Sequence, residues 1–428
     1  MIAVFLAAFV VLLSLGTPIA VGLGGSAMIY LLFNPDIELT ILPQTIFGGM
    51  TSFPLLAIPL FMLAGNLMNE GGLTEDLVRF ARLVIGHIRG GLGHATVIAC
   101  AIFAAISGSA VATAVAIGMI MIPAMKREGF DEDLGAAITA TAACMGPIIP
   151  PSIPFILYGV IANVSIGALF LGGVIPGLIL GFGLMVYTGH EARRRRYRVH
   201  RKASYREMLA GGWKALPALF MPVIIMGGIL GGAFTPTEAA GVTCVYAALI
   251  GAFVYRRLKL KSIPRVLLAS GLESAMIMLL LGLSEPFAWI VAADRIPQLM
   301  IDAISGLSTS PWVILLLVNI ILLVIGIPIE TAPAIVITAP ILAPMAAQLG
   351  IDPIHMGIVV CFNLVLGLIT PPVGGVLFAV CGVSGLSLEK LSAAVWKPFW
   401  IALAVLLLIT YIPRLSTFLP GLFMPGIR

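Results

Sequence analysis

A segment from Ile106 to Tyr158 returns 221 positions later in the chain. Sliding the sequence by that offset sets Pro150-Pro151 on Pro371-Pro372. With no gap, Gly146 falls on Gly367, Asp131 on Asp352, Gly129 on Gly350, Pro123 on Pro344 and Ile106 on Ile327. Two copies of one unit are present, and any fold must accommodate both. In each copy an apolar run is interrupted by small or polar residues, Ser107-Gly108-Ser109 in the first and Gly326-Ile327-Pro328-Ile329-Glu330-Thr331 in the second. The run then resumes, crosses a polar turn, and breaks again at Gly-x-x-x-Pro-Pro. Interrupted apolar spans at matching positions of two halves are the best sequence pointer to the binding site of a transporter.

Composition fixes the surroundings of this unit. Of 428 residues, 60% are hydrophobic and only 10% charged, against roughly 25% charged in an ordinary soluble domain. The chain reads as an all-α polytopic membrane protein, with apolar stretches near the ~20 residues of a spanning helix recurring almost to its end. The first run, Ile2 to Leu15, lacks the basic flank of a signal peptide and continues past Gly16-Thr17-Pro18 without a convincing cleavage site. The net charge of +5 comes largely from two blocks, Arg193 to Lys202 and Arg256 to Lys261. On a membrane protein such blocks mark cytoplasmic loops rather than nucleic-acid contacts. The five cysteines stand singly in apolar runs and read as packing residues.

The organisation follows from these signs. Residues 1–190 form a first repeat, 191–215 a basic cytoplasmic linker and 216–416 a second repeat. Each half opens with two spans, Ile2–Leu15 and Ile19–Phe33 in the first, Leu216–Phe234 and Glu238–Tyr255 in the second. A polar loop from Asn34 to Gly49 leads to a span over Phe53–Leu67. Leu73, Leu77, Phe80, Ala81, Val84 and Ile85 then recur at helical spacing opposite Glu75, Asp76, Arg79 and Arg82, which predicts an amphipathic interfacial helix. Basic residues flank the first interrupted segment on both sides, so the chain enters and leaves from the cytoplasm as a re-entrant hairpin with its tip at Ser107-Gly108-Ser109. Val266–Leu283 crosses outward to an outer arm at Asp294 to Asp302. The second hairpin, Pro311 to Ala347, has almost no Lys or Arg at its flanks and is expected to open outward. The two halves then face opposite ways, as an inverted repeat with two broken helices. Asp131 and Asp352 are expected to cap the helices that follow the hairpins.

At a break, backbone groups lose their helical partners, which in hydrocarbon costs several kcal/mol each. Such groups persist where they are buried in protein, wetted or bound to something. Bare carbonyls suit a hard cation such as Na⁺, and half-helix N-termini suit a carboxylate. The sequence sets Ser107, Ser109 and Thr113 opposite Pro147–Ser152, and Glu330 and Thr331 opposite Asn363 and Thr370. Proline kinks that merely pack helices are the alternative, made improbable by four breaks in symmetric positions. Glu330 is the one acidic residue deep in an apolar hairpin, either a functional group or a hydrogen-bonded structural carboxyl. No nucleotide-binding Gly-x-x-x-x-Gly-Lys-[Ser/Thr] loop and no His-Glu-x-x-His is present, and no histidine falls in the broken segments. Catalysis is not expected.

The segments Ser107-Gly-Ser-Ala-Val-Ala-Thr113, Ile122-Pro123…Gly129-Phe130, Gly146-Pro-Ile-Ile-Pro-Pro-Ser-Ile-Pro-Phe-Ile-Leu-Tyr158, Gly350-Ile-Asp-Pro-Ile-His355 and Asn363-Leu-Val-Leu-Gly-Leu-Ile-Thr-Pro-Pro-Val-Gly374 closely resemble the large membrane subunit of tripartite ATP-independent periplasmic (TRAP) transporters, the DctM-like family. The resemblance runs over essentially the whole chain. It implies an elevator-type fold of the ion transporter superfamily in the bacterial inner membrane and Na⁺-coupled uptake of an organic acid, with a self-sufficient carboxylate/Na⁺ symporter or a channel of related fold as the alternative. It also implies a small four-helix membrane subunit and a periplasmic substrate-binding protein as partners; because the chain begins directly at the first span of the repeat, the small subunit is expected as a separate polypeptide. By the same resemblance one Na⁺ site lies between Ser107, Ser109 and the Gly146, Pro147, Pro150 break. The other lies between Gly326, Thr331 and the Gly367–Thr370 break. The substrate is then expected between the two tips, within reach of Ser107, Ser109, Thr113, Ser152, Glu330, Thr331 and Asn363.

Overall fold

The structure, a computed structural model, describes residues 2–197, 199, 201–305 and 310–426. Among them every regular element is helical. The chain opens with α1 (Ile2–Ser14) and α2 (Ile19–Leu32), which pack on each other across Gly16, in the left-handed region at φ +78°, and Pro18. Each is a separate helix, as expected, but at ~1.5 Å per residue neither reaches the ~30 Å of a bilayer core. Where a polar loop was expected over Asn34 to Gly49, the chain forms α3 (Ile41–Met50). Its Ile46 and Met50 lie against Gly282, and this tertiary contact stabilises a short helix that propensity alone leaves marginal. A 3₁₀ turn (Phe53–Leu56) runs into α4 (Ala57–Glu70), followed by the amphipathic α5 (Leu73–Ile85). Leu73, Leu77, Val78 and Ala81 of α5 are buried, against α6 (Gly91–Ser107) and α11 (Tyr205–Leu230).

The first copy of the repeated unit consists of α6, α7 (Ala110–Arg127), α8 (Glu132–Ala143), α9 (Ile153–Ile161) and α10 (Ile166–Arg194). The second consists of α15 (Pro311–Gly326), α16 (Thr331–Gln348), α17 (Pro353–Gly367), α18 (Gly375–Ser384) and α19 (Leu388–Tyr411). The helices recur at the offset of the sequence repeat, and both Pro150-Pro151 and Pro371-Pro372 are cis. Between the copies lie α11, α12 (Pro236–Leu249, extended by a π turn over Ile250–Val254), α13 (Ile263–Ala293) and α14 (Ile296–Ser305), and α20 (Arg414–Phe423) closes the chain. The expected linker 191–215 is shorter than the composition suggested, because α10 runs to Arg194 and α11 begins at Tyr205 with a Ser204/Glu207 capping box. The expected span over Val266–Leu283 covers only the first part of α13, which runs on to Ala293. Eight helices among the described residues are long and apolar enough to cross a membrane.

Packing divides the helices into two groups. α2, α3, α4, α12 and α13 pack mainly on one another, while α7 to α9 and α16 to α19 form the other group with α6, α10 and α15. Within the second group the contacts are reciprocal: α18 packs on α7, and α16 on α9. Cys144 and Val365, equivalent positions of the two copies, meet at 3.8 Å from Sγ to the carbonyl oxygen.

Each hairpin base meets the end of the last helix of its own copy. At Gly93, near the start of α6, an added Cβ would lie 2.6 Å from Thr188 Cγ2 and 3.6 Å from Phe130 Cε1. The start of α6, the end of α7 and the C-terminal end of α10 therefore meet. At the other hairpin, Trp312 at the start of α15 lies against Tyr411 at the end of α19, the rings tilted with centroids 5.6 Å apart. Closer to its own start, α19 reaches the end of α10 through Lys397 Nζ, 3.3 Å from Glu191 Oε1.

Asp131 departs from expectation. It occupies the N-cap position of α8 without a capping bond, because Arg195 and Tyr197 hold its carboxylate, the latter at 2.8 Å. The Arg195 hydrogen bond, with that of Tyr197, holds this carboxyl below the usual range. Asp352 does cap α17, accepting from Ile354 N at 2.9 Å and His355 N at 3.1 Å.

Candidate functional site

Each hairpin tip rests on the break of its own copy. In the first, α6 ends at Ser107, the chain turns through Gly108 (φ +61°), and Ser109 caps α7 by accepting from Ala112 N at 3.3 Å. Three oxygens converge there. Ser107 Oγ lies 2.9 Å from Thr113 Oγ1, and Thr113 Oγ1 donates to the Ser109 carbonyl at 2.7 Å. An added Cβ at Gly146 would sit 2.6 Å from Ser109 O and 2.8 Å from Thr113 Oγ1. The break therefore approaches the tip as closely as glycine permits. At Gly108 a Cβ would lie 2.9 Å from Pro151 O and 3.5 Å from Ile153 N, so the N-terminus of α9 also abuts the tip. Pro147 and Pro150 are buried in this break. Ser152 is fully buried and locally engaged: its hydroxyl donates to Pro147 O and accepts from Phe155 N as the α9 cap. On the opposite side of the tip stands α4, where a Cβ at Gly65 would lie 3.6 Å from Ser107 Cα.

The second copy repeats the arrangement with different chemistry. Gly326 meets Gly367 backbone to backbone, and a Cβ on Gly367 would lie 2.3 Å from Gly326 O. Thr331 Oγ1 is buried and has no hydrogen-bond partner. Thr370, in the break, donates its hydroxyl to Leu366 O at 2.8 Å, which leaves its oxygen lone pairs free. Glu330 is not enclosed by protein. It is exposed at the tip and takes the N-cap position of α16 without a capping bond. Its Oε1 lies near Gly375, 3.9 Å from where a Cβ would stand, at the start of α18, where a helix dipole favours a carboxylate.

Asn363 is placed elsewhere than expected. It is fully buried one turn before Gly367, bonded to Asn319 rather than facing Thr331. Sequence reasoning passed over Asn319, although a lone amide in the apolar run Pro311–Gly326 was a legible signal. It had no means of finding Gly65, whose part depends only on which helix lies across from the tip.

The oxygens suit a hard monovalent cation. At the first site two hydroxyls and a carbonyl crowd together, and at the second a buried hydroxyl has no partner. Buried polar atoms ordinarily find one. No group of His, Cys, Asp or Glu suited to a transition metal occurs among the described residues. The arrangement offers oxygen ligands and helix N-termini, and no nucleophile paired with a base.

Known proteins resemble the chain over nearly its whole length. The family described as "Tripartite ATP-independent periplasmic transporter, DctM component" matches residues 6–415. The C4-dicarboxylate TRAP transporter large permease protein DctM of Pseudomonas aeruginosa is 44% identical over 402 residues, 94% of each chain. The sialic acid TRAP transporter large permease protein SiaM of Vibrio cholerae is 38% identical over 413 residues, 96% of this chain and 97% of that one. The isethionate TRAP transporter permease protein DctMQ of Oleidesulfovibrio alaskensis is 41% identical over 96% of this chain, which covers 65% of that longer protein. In fold, the crystal structure of the Alcanivorax borkumensis YdaH transporter superposes with a TM-score of 0.65 at 16% identity, over 87% of this chain and 88% of that one. The chain belongs to the DctM family, the large membrane component of tripartite ATP-independent periplasmic transporters, and is a multi-pass protein of the bacterial inner membrane, not an enzyme.

Proposed function

We propose that this chain imports a small organic acid with Na⁺ as the coupling ion, working with a small membrane subunit and a periplasmic binding protein that delivers the substrate. The observation that carries the reading is the meeting of each hairpin tip with its own break, with oxygens converging at Ser107, Ser109 and Thr113 and an unpartnered hydroxyl at Thr331. Ser107, Ser109, Thr113 and the break at Gly146, Pro147 and Pro150 would hold one Na⁺. Gly326, Thr331, Gly367 and Thr370 would hold the other. The ions supply positive charge beside the half-helix N-termini, where an anion without an arginine partner gains most from it.

The relatives named for C4-dicarboxylates, sialic acid and isethionate support an organic anion as substrate. The name DctMQ, on a protein of which this chain covers 65%, supports a second membrane component. We read the two copies as an inverted repeat whose hairpins open to opposite faces. Their bases at the ends of α10 and α19 support this. We read the movement as an elevator, in which the hairpins and broken helices travel as one block against α2, α3, α4, α12 and α13. The reason is physical: backbone that leaves the helical pattern at four breaks stays shielded only by its packed neighbours and cannot slide through lipid separately.

The test is uptake into proteoliposomes holding the chain and its small membrane partner, with an imposed Na⁺ gradient and the binding protein added or omitted. Accumulation that needs both the gradient and the binding protein is expected. Equal uptake without either would overturn the proposal.

A further inference from the structure

The second copy holds a buried polar chain that the first lacks. Asn319 is the one amide in the apolar α15, and it is 2% exposed. Asn363 on α17 donates from Nδ2 to Asn319 Oδ1 at 2.7 Å and to the Asn319 backbone carbonyl at 3.0 Å. Asn319 Nδ2 donates to Thr410 Oγ1 on α19 at 3.0 Å, and Thr410 donates to Leu406 O at 2.8 Å. The donors run in one direction across three helices and end on a main-chain carbonyl. At the positions 221 residues earlier stand Ile98, Ala142 and Gly189, none of which carries a polar side chain.

The location of this chain gives it meaning. Asn319 lies about two helical turns before Gly326 on α15, and Asn363 about one turn before Gly367 on α17. The amide pair and the glycine contact therefore share one seam. Apolar side chains tolerate repacking and small slides, whereas a buried hydrogen-bonded pair fixes register, as a buried asparagine does in coiled coils. In the first copy the tip is tied by its own hydroxyls, Ser107 to Thr113. In the second, Thr331 makes no such bond, and the tie lies lower in the seam.

We propose that Asn319 and Asn363 are positioning residues for the second site: an amide clasp that holds the hairpin arm α15 on the broken helix α17 and so sets where Gly326–Thr331 meets Gly367–Thr370. The consequence for ion binding rests on the Na⁺ reading above. The positional claim does not.

Hydrogen exchange of the full chain in nanodiscs, followed by mass spectrometry, tests it. Asn319→Leu and Asn363→Leu should each speed exchange over residues 326–332 on the order of tenfold, the worth of one hydrogen bond, with residues 106–113 unchanged. The double variant leaves no buried amide unsatisfied, so it should recover thermal stability and still exchange fast at the second tip. Thr410→Val removes only the last side-chain acceptor and should loosen the same segment to a smaller degree. Na⁺-titrated uptake of the same variants is read in parallel. A loosened second tip with an unmoved Na⁺ curve upholds the clasp and counts against the ion site. Unchanged exchange over 326–332 in the double variant, or an equal rise at both tips, would overturn the clasp.

Discussion

Gly146 and Gly367 are equivalent positions of the two copies, and alanine at either tests whether the meeting of tip and break is functional. At Gly367 the new methyl carbon would stand 2.3 Å from Gly326 O and 2.5 Å from Gly326 C, all main chain with no side chain to swing away. Restoring ordinary contact at ~3.5 Å would move tip and break apart by about 1 Å. At Gly146 the corresponding neighbours are Ser109 O at 2.6 Å and Thr113 Oγ1 at 2.8 Å. Overpacking of this kind costs ~1–3 kcal/mol. If all of it fell on the ion-bound state, half-saturation by Na⁺ would rise roughly 5- to 150-fold, at 1.4 kcal/mol per tenfold. Gly241→Ala is the control, since a Cβ there meets nothing within 4 Å and alanine favours the helix. Uptake into proteoliposomes, normalised to folded protein and titrated with Na⁺, is the assay. Gly146→Ala and Gly367→Ala should shift the curve to higher Na⁺ while Gly241→Ala leaves it in place. Unshifted curves in both would refute the idea that ions are held where tip and break touch.

Ser109→Ala and Thr370→Ala each remove one oxygen from a different site and should each raise the Na⁺ needed for half-maximal uptake. Ser109→Ala should also lose about 1 kcal/mol of stability with the α7 cap, visible in thermal melts. Thr331→Val removes a buried hydroxyl without a partner, so the Na⁺-free protein should melt at the same temperature or higher, while Na⁺-dependent stabilisation shrinks; an unchanged Na⁺ effect would exclude Thr331 as a ligand. A cysteine at Arg127 should be labelled only from the cytoplasm and one at Gln348 only from outside, and labelling of both from one face would end the inverted-repeat reading. Asp131 has a depressed carboxyl, so its pairing with Arg195 and Tyr197 contributes stability above the usual carboxylate range and loses it as pH falls through the folded value. Asp131→Asn should therefore melt below the native chain at neutral pH, with the gap closing in acid. A gap independent of pH would point to lost packing instead.

The membrane class, the two copies, the hairpin tips and the breaks were all legible in the sequence. Each rests on a local property of the chain: mean apolarity sets the solvent, glycine and proline interrupt helices where they stand, and an offset of 221 needs only the letters. Tertiary structure decided what depends on a partner distant in sequence. Asp131 had the spacing of a cap like Asp352, yet Arg195 lies 64 residues on and takes its carboxylate. The stretch 34–49 read as loop because its helix needs α13 to lean on. Asn363 looked like a ligand because it is a lone amide in the apolar run that leads to Thr370, but a side chain faces whatever its helix is packed against, and that is Asn319, 44 positions earlier. Which oxygens converge is fixed the same way. A hydroxyl's identity is written in the chain, while its partner depends on how helices cross, and a crossing is set by the whole packed interior at once.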